Sequence, residues 1–222
     1  MEQEDQNLTD LDCPNCGYDI RAEIVTTIRP NDKSLEELFE GSLNRVICDQ
    51  CATEFVCHSP LVFKSEESDY FVYYNPDIAA LGWEKAEEQM QTALNASLNE
   101  LHESERPECR LTLDRNDFIE KIAVHLADMD DKIIEYLKYH IFSHEGLSIG
   151  THKLLYDFSR SDREILEFQV MNIVEGKLMY NTQTPYEMLE QMQNQLESED
   201  CPVDVDEVFS GLYVQVDKLR QQ

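Results

Sequence analysis

Four cysteines are spaced so that they can do chemistry together. Cys13 and Cys16 stand in "CPNCG", and Cys48 and Cys51 in "CDQCA". A two-residue spacer lets one short turn aim two thiolates at a single ion. Two such turns complete a tetrahedral four-thiolate set, the arrangement of a structural zinc site. Pro14 fixes φ inside the first turn, and Gly17 can take φ > 0 directly after the second sulfur. Asp49 and Ala52 stand at the corresponding places of the second turn, so an Ala52 forced to φ > 0 carries roughly 1 kcal/mol of strain. Four thiolates leave no open coordination position, so the expected zinc holds the fold and performs no reaction.

The rival chemistry for "CPNC" is thiol redox. That use wants the first cysteine at a helix N-terminus just after a buried strand. Here "NLTDLD" precedes it, polar and acidic. Asp10, Asp12 and Asp49 disfavour a thiolate unless a metal stabilises it. Disulfides are disfavoured by context: the N-terminal "MEQEDQNLTDLD" has no basic and apolar regions of a secretion signal. The expected compartment is the reducing cytoplasm, where paired CxxC motifs bind metal.

The interval between the pairs is longer than the ~15–20 residues usual for a zinc ribbon. "DKSLEELFEGSL" fills it as a short helix. Asp32 or Ser34 can cap it, Leu35, Leu38 and Phe39 share a face, and Gly41 stops it. "YDIRAEIVTTI" alternates Ile20, Ala22 and Ile24 on one face, and "TEFVCHSPLVF" with "DYFVYYN" reads as a hairpin across "KSEES".

These segments together resemble the bacterial and archaeal CpXC domain. "CPNCGYDIRAEIVTTI", a helical insert, "NRVICDQC" and "PLVFKSEESDYFVYYNP" carry the resemblance over about 11–76, and it thins toward 143. Asp49 departs from the second Pro and Ala52 from the usual Gly. The resemblance implies the same zinc ligands, Cys13, Cys16, Cys48 and Cys51, and supplies no activity.

Beyond it, "GWEKAEEQMQTALNASLNELHE" predicts a helix with a stripe of Ala86, Met90, Leu94, Leu98 and Leu101, ended before Pro107. "DFIEKIAVHLADM" and "DKIIEYLKYHIF" predict a helical hairpin with Asp130 or Asp131 capping the second helix. "KLLYDF", "ILEFQVM" and "KLMYN" predict a three-stranded meander. Thr184, Pro185 and Glu187 predict a capped helix start. "DEVFSGLYVQVDKLRQQ" fits either an alternating strand or a helix broken at Gly211. The expected fold is α+β. An acidic flexible N-terminus (1–9) precedes a zinc-ribbon-like antiparallel β domain with a helical insert (10–80). A helix and linker (81–112) lead to a helical hairpin plus a small α+β C-terminal domain (113–222).

The chain of 222 residues carries 18 Lys and Arg against 46 Asp and Glu, a formal charge of −28. The excess is spread along both halves. Such a surface repels phosphate backbones and anionic headgroups. Direct nucleic-acid binding is not expected, and no stretch has the ~18 apolar residues of a membrane span. A basic protein partner fits the charge, as does plain solubility.

Other tempting residues read plainly. Cys57 shares parity with Phe55 and is expected in the core, with His58 beside it. Cys109 and Cys201 are expected as free surface thiols. The aromatic run Tyr70, Phe71, Tyr73, Tyr74 lacks the interleaved Lys and Arg of a base-stacking site. Asp128, Asp130 and Asp131 lack calcium-loop spacing. The expectation is therefore a zinc-containing binding or adaptor module with no catalytic residue. Two alternatives remain: an acidic nucleic-acid mimic, and a hydrolase-like enzyme between the halves. The enzyme requires His125, His140, His144, Glu120 and Glu135 to converge.

Overall fold

The computed structural model describes residues 8–65, 67–98, 102, 106–198, 201 and 203–221. The mixed α+β expectation holds. Two small hairpins come first. β1 (Leu8–Asp12) pairs antiparallel with β2 (Asp19–Glu23), and β4 (Arg45–Ile47) with β5 (Glu54–Val56). Each hairpin carries one cysteine pair in its turn. Ile20, Ile24 and Val46 pack between the hairpins with Cys13 and Cys48. The acidic N-terminus lies outside the described residues up to position 7, and Leu8 and Thr9 already belong to β1.

A four-stranded sheet follows, in the order β3 (Thr27–Ile28), β6 (Leu61–Ser65), β7 (Tyr70–Tyr74), β8 (Glu108–Thr112). The antiparallel expectation holds for β6 and β7. β3 joins β6 in parallel, and β8 joins β7 in parallel. The stretch 54–65 is two strands: Glu54–Val56 pairs back on β4, and only 61–65 forms the hairpin with β7. Between them the chain leaves one sheet for another, with Pro60 unable to donate to either ladder. α1 (Lys33–Phe39) is the insert, with Asp32 at its N-cap position and Gly41 at φ +74 past its end. Its Leu35 and Leu38 are buried with Ile28, Leu61, Phe63 and Val72.

The segment expected as helix and linker holds α2 (Trp83–Ser97) and strand β8; Leu101 of the expected stripe lies outside the described residues. α3 (Arg115–Leu126) and α4 (Asp131–His144) form the helical hairpin, capped by Asp114 and Asp130 side chains accepting from Asn116 and Lys132 N–H. α3 lies between two sheets. Phe118 and Ile122 pack on the four-stranded sheet. Ala123 and Val124 pack with Ile134, Leu137, Leu166 and Phe168 of the C-terminal core.

That core is floored by the expected antiparallel meander, β9 (His152–Tyr156), β10 (Ile165–Asn172) and β11 (Lys177–Pro185), in the order β11-β10-β9. α5 (Tyr186–Leu196) starts later than its sequence signals suggest. β11 runs through Pro185, so Thr184 is a buried strand residue and caps nothing. After α6 (Val205–Val208), residues 211–215 run as neither strand nor helix, and a 3₁₀ turn spans Val216–Gln221. Gly211 has φ +93, and Leu111 N–H donates to Leu212 O at 2.8 Å. No helix among the described residues is long and apolar enough to cross a membrane.

Candidate metal centre

The two cysteine turns are built alike. In the first, Cys13 N–H donates to Tyr18 O and Gly17 N–H to Cys13 O, both at 2.9 Å. In the second, Cys48 N–H donates to Thr53 O at 2.9 Å and Ala52 N–H to Cys48 O at 2.8 Å. Gly17 sits at φ +68 and Ala52 at φ +55, so the alanine does adopt the left-handed backbone its position demands. An L side chain there costs roughly 1–2 kcal/mol, and glycine avoids it at an entropic cost of about 0.5–1 kcal/mol. A Cβ added at Gly17 would meet nothing within 4 Å, so the backbone is the whole issue. Gly17→Ala should therefore lower stability by about 1 kcal/mol, and Ala52→Gly should raise it by somewhat less. Urea midpoints of the two variants must move in opposite directions; shifts of one sign would refute the matched-turn geometry.

The sulfurs converge. Cys13 Sγ lies 3.6 Å from Cys51 Sγ, and Cys16 Sγ lies 3.7 Å from Cys48 Sγ. All four lie within 4.8 Å of one another. These separations exceed the ~2.05 Å of a disulfide, and all four cysteines are free. Among the described residues no other group of three or more His, Cys, Asp or Glu comes together in this way. The first cysteine of each pair, Cys13 and Cys48, is buried, while Cys16 keeps part of its surface exposed and Cys51 is half-buried.

Hydrogen-bond donors surround the cluster. Backbone N–H groups of Asn15 and Cys16 approach Cys13, and that of Tyr18 approaches Cys16. The Thr53 hydroxyl lies 3.2 Å from Cys51 Sγ, and Asn15 Nδ2 lies 3.6 Å from the same sulfur. The Thr53 hydroxyl, its N–H and Asn15 pull the Cys51 thiol down to about 6. Cys16 gains the Tyr18 N–H, which lowers it, yet burial and three neighbouring sulfurs push it up to about 12. Four sulfurs this close cannot all ionise without a cation among them, a charge that a metal ion would supply.

Asn44 locks the insert between the turns. It is buried at φ +60, accepts from Val25 N–H at 2.9 Å and donates to Val25 O at 2.8 Å. The side chain acts as a short strand partner joining the end of β2 to the start of β4. An Asn just before a strand is the one sequence signal for it, since Asn tolerates the left-handed region.

The other singled-out residues disperse. Cys57 is half-buried against the same small core but is not part of the sulfur cluster, and burial pushes its thiol up. Cys109 is buried within β8, a correction to its expected surface position, and Cys201 is half-buried. Tyr70 and Tyr74 face the core, with Phe71 and Tyr73 half-buried on the other side of β7. Asp130 caps α4, while Asp131 is buried against Arg110 and Lys121. The histidines and glutamates do not meet. His125 stacks on Tyr70 with ring centroids 4.0 Å apart. Glu120 and Glu135 are buried in ion pairs with Lys138. His140 and His144 are exposed on α4 beside a separate cavity.

A family model described as CpXC protein matches residues 6–138. No curated protein and no solved structure matches the chain.

Proposed function

The chain belongs to the CpXC family, and from that premise we propose that Cys13, Cys16, Cys48 and Cys51 hold one zinc ion as a closed structural site. The protein then acts as a binding or adaptor module. The sulfur spacing carries this reading. A tetrahedron with Zn–S bonds of ~2.3 Å has S–S edges of ~3.8 Å; the Cys13–Cys51 and Cys16–Cys48 separations are 3.6 and 3.7 Å, and all four sulfurs lie within 4.8 Å of one another. Zinc in such a set replaces thiol protons and holds both turns in place, which gives the N-terminal hairpins a zinc-ribbon-like role. A closed thiolate shell leaves no position for substrate, so the metal serves the fold. The site needs reduced sulfur, which fits the cytoplasm. The charge of −28 fits a basic protein partner and disfavours nucleic acid and anionic lipid.

Metal analysis with thiol counting on the purified chain tests the site. One zinc per chain is expected, and Cys48→Ser should lose it. Tetrathiolate iron has the same geometry but shows visible thiolate-to-iron absorption. That absorption, or a metal content unchanged in Cys48→Ser, would overturn the assignment.

A further inference from the structure

A groove of about 1190 Å3 runs where the insert helix, the end of α3 and the start of α5 come together. Its floor is apolar. Phe39 of α1 meets Phe158, just past β9, with ring centroids 4.6 Å apart. Leu126, Met129 and Tyr186 continue the floor, and Leu126 and Phe158 are exposed at 45% and 36%. Its rim is acidic: Asp128, Asp162, Glu164, Glu187 and Glu190 line it, all exposed, and among the described lining residues Arg163 is the one Lys or Arg.

The groove shares Asp128, Met129 and Tyr186 with a second pocket of about 340 Å3. That pocket adds Glu108 and Asp130 to its wall, together with Tyr70. The Tyr70 hydroxyl is buried and has no hydrogen-bond partner among the described residues, and Tyr70 is 4% exposed. A buried hydroxyl without a partner is unfavourable unless a ligand group satisfies it.

We propose that this groove docks a basic amphipathic segment of a partner protein, with apolar side chains on the aromatic floor and Lys or Arg against the acidic rim. The proposal deepens the binding-module reading by giving it a surface. The charges select the occupant. A second copy of this chain would bring another −28 surface to a rim of five carboxylates, and nucleic acid or anionic lipid is repelled likewise. An acidic groove with an apolar floor is the complement of a basic helix or strand with one apolar face. Phe39 forms one wall and sits on the insert helix, whose Leu35 and Leu38 are anchored in the sheet core.

The test uses the zinc-loaded full chain and three labelled peptides of equal length, followed by fluorescence anisotropy. One alternates Lys and Leu in a helical amphipathic pattern, one replaces its Leu by Ser, and one replaces its Lys by Glu. The Lys/Leu peptide is expected to bind at least tenfold tighter than either control, and to protect amides of α5 and of 158–164 from exchange. Glu187→Lys with Glu190→Lys, and separately Phe158→Ser, should each weaken it about tenfold. Glu88→Lys, on the exposed side of α2, should leave it unchanged. Equal binding of the Lys/Ser peptide, equal damage from Glu88→Lys, protection elsewhere, or no binding would each overturn the proposal. The two readings fail separately. A chain with stoichiometric zinc that ignores the peptide sinks only the groove, and a metal-free chain that binds it in the groove sinks only the zinc.

Discussion

Stripping the metal from the intact chain should unfold the two cysteine hairpins and leave the C-terminal layers folded. The hairpins share a core of three fully aliphatic buried residues, Ile20, Ile24 and Val46, packed with the sulfur-bearing Cys13 and Cys48. Each such aliphatic residue contributes about 1.5–3 kcal/mol. Ordering backbone costs ~1–2 kcal/mol per residue, and β1, β2, β4 and β5 are each five residues or fewer. So small a core needs a staple. Structural zinc supplies about 10–16 kcal/mol in isolated zinc-finger peptides, more than the aliphatic core can provide. The insert should behave differently from the turns it joins. Leu35 and Leu38 of α1 are buried in the sheet core with Phe63 and Val72, so α1 keeps its protection after chelation. Hydrogen exchange before and after chelation separates the regions. Amides of Cys13, Gly17, Cys48 and Ala52 should lose protection together, while those of Leu166, Phe168 and Val170 keep theirs. Retained protection at the four turn amides in a verified metal-free sample would falsify the structural role of the site.

The parts of this protein that were legible in its sequence are those whose physics is local. A CxxC turn needs two sulfurs three residues apart and a residue that tolerates φ > 0, and both appear in the sequence at Cys13–Gly17 and Cys48–Ala52. The insert helix and the C-terminal meander follow from period and turn residues. What stayed hidden depends on distant chain. β8 pairs in parallel with β7 across the whole of α2, and nothing in "ECRLT" marks that partner. This also explains Cys109: in an acidic stretch it reads as loop, but the sheet extends over it. Thr184 carries every sign of a helix cap, yet ladder pairing with Leu166 in β10 extends the strand past it. The largest omission is charge. In the sequence Glu120 and Glu135 enter only as members of the hydrolase-like alternative, and Lys121 and Lys138 go unmarked. α3 has apolar residues on two faces, Phe118 and Ile122 on one and Ala123 and Val124 on the other. A helix apolar on more than one side is a buried helix, and its charges are then buried with it.

Lys138→Met should be the most damaging single substitution in the C-terminal half. Lys138 is 1% exposed, and its ammonium lies 2.7 Å from Glu120 and 2.9 Å from Glu135. Lys121 lies 3.2 Å from Glu135 and 2.9 Å from Asp131, and Arg110 Nε lies 2.8 Å from Asp131. Three cations thus interleave with three carboxylates, all buried. Backbone groups complete the set. Glu120 accepts from Tyr156 N–H at 2.5 Å, and Glu135 accepts from Val216 N–H at 2.8 Å, so the lattice ties β9 and the C-terminal turn to α3 and α4. Removing one ion leaves the others uncompensated, which costs about 3–5 kcal/mol. Methionine preserves most of the volume, so the loss reads as charge and not as cavity. Adding Glu120→Gln to Lys138→Met should recover part of it, because the double variant buries one fewer unpaired charge. Acid should act on the same lattice. Burial alone would raise Asp131, but Lys121 and Arg110 hold it well below the usual carboxylate range, and Lys121 and Lys138 likewise hold Glu135 down. Both folded values lie below the unfolded ones, so this stability is complete above about pH 5 and is lost as pH falls through the folded values. Glu120 runs the other way, raised by burial, so the acid loss belongs to Asp131 and Glu135. The chain provides its own reporter. Trp83, the single tryptophan, stacks on Tyr213 at 5.6 Å and 8°, next to the segment that Glu135 anchors. Urea unfolding followed by Trp83 fluorescence at pH 7 should show the loss for Lys138→Met and its partial recovery in the double variant. Asp131→Asn should flatten the acid limb. A Lys138→Met chain within about 1 kcal/mol of the parent would mean that these charges reach water and that the lattice does not hold the C-terminal segment in place.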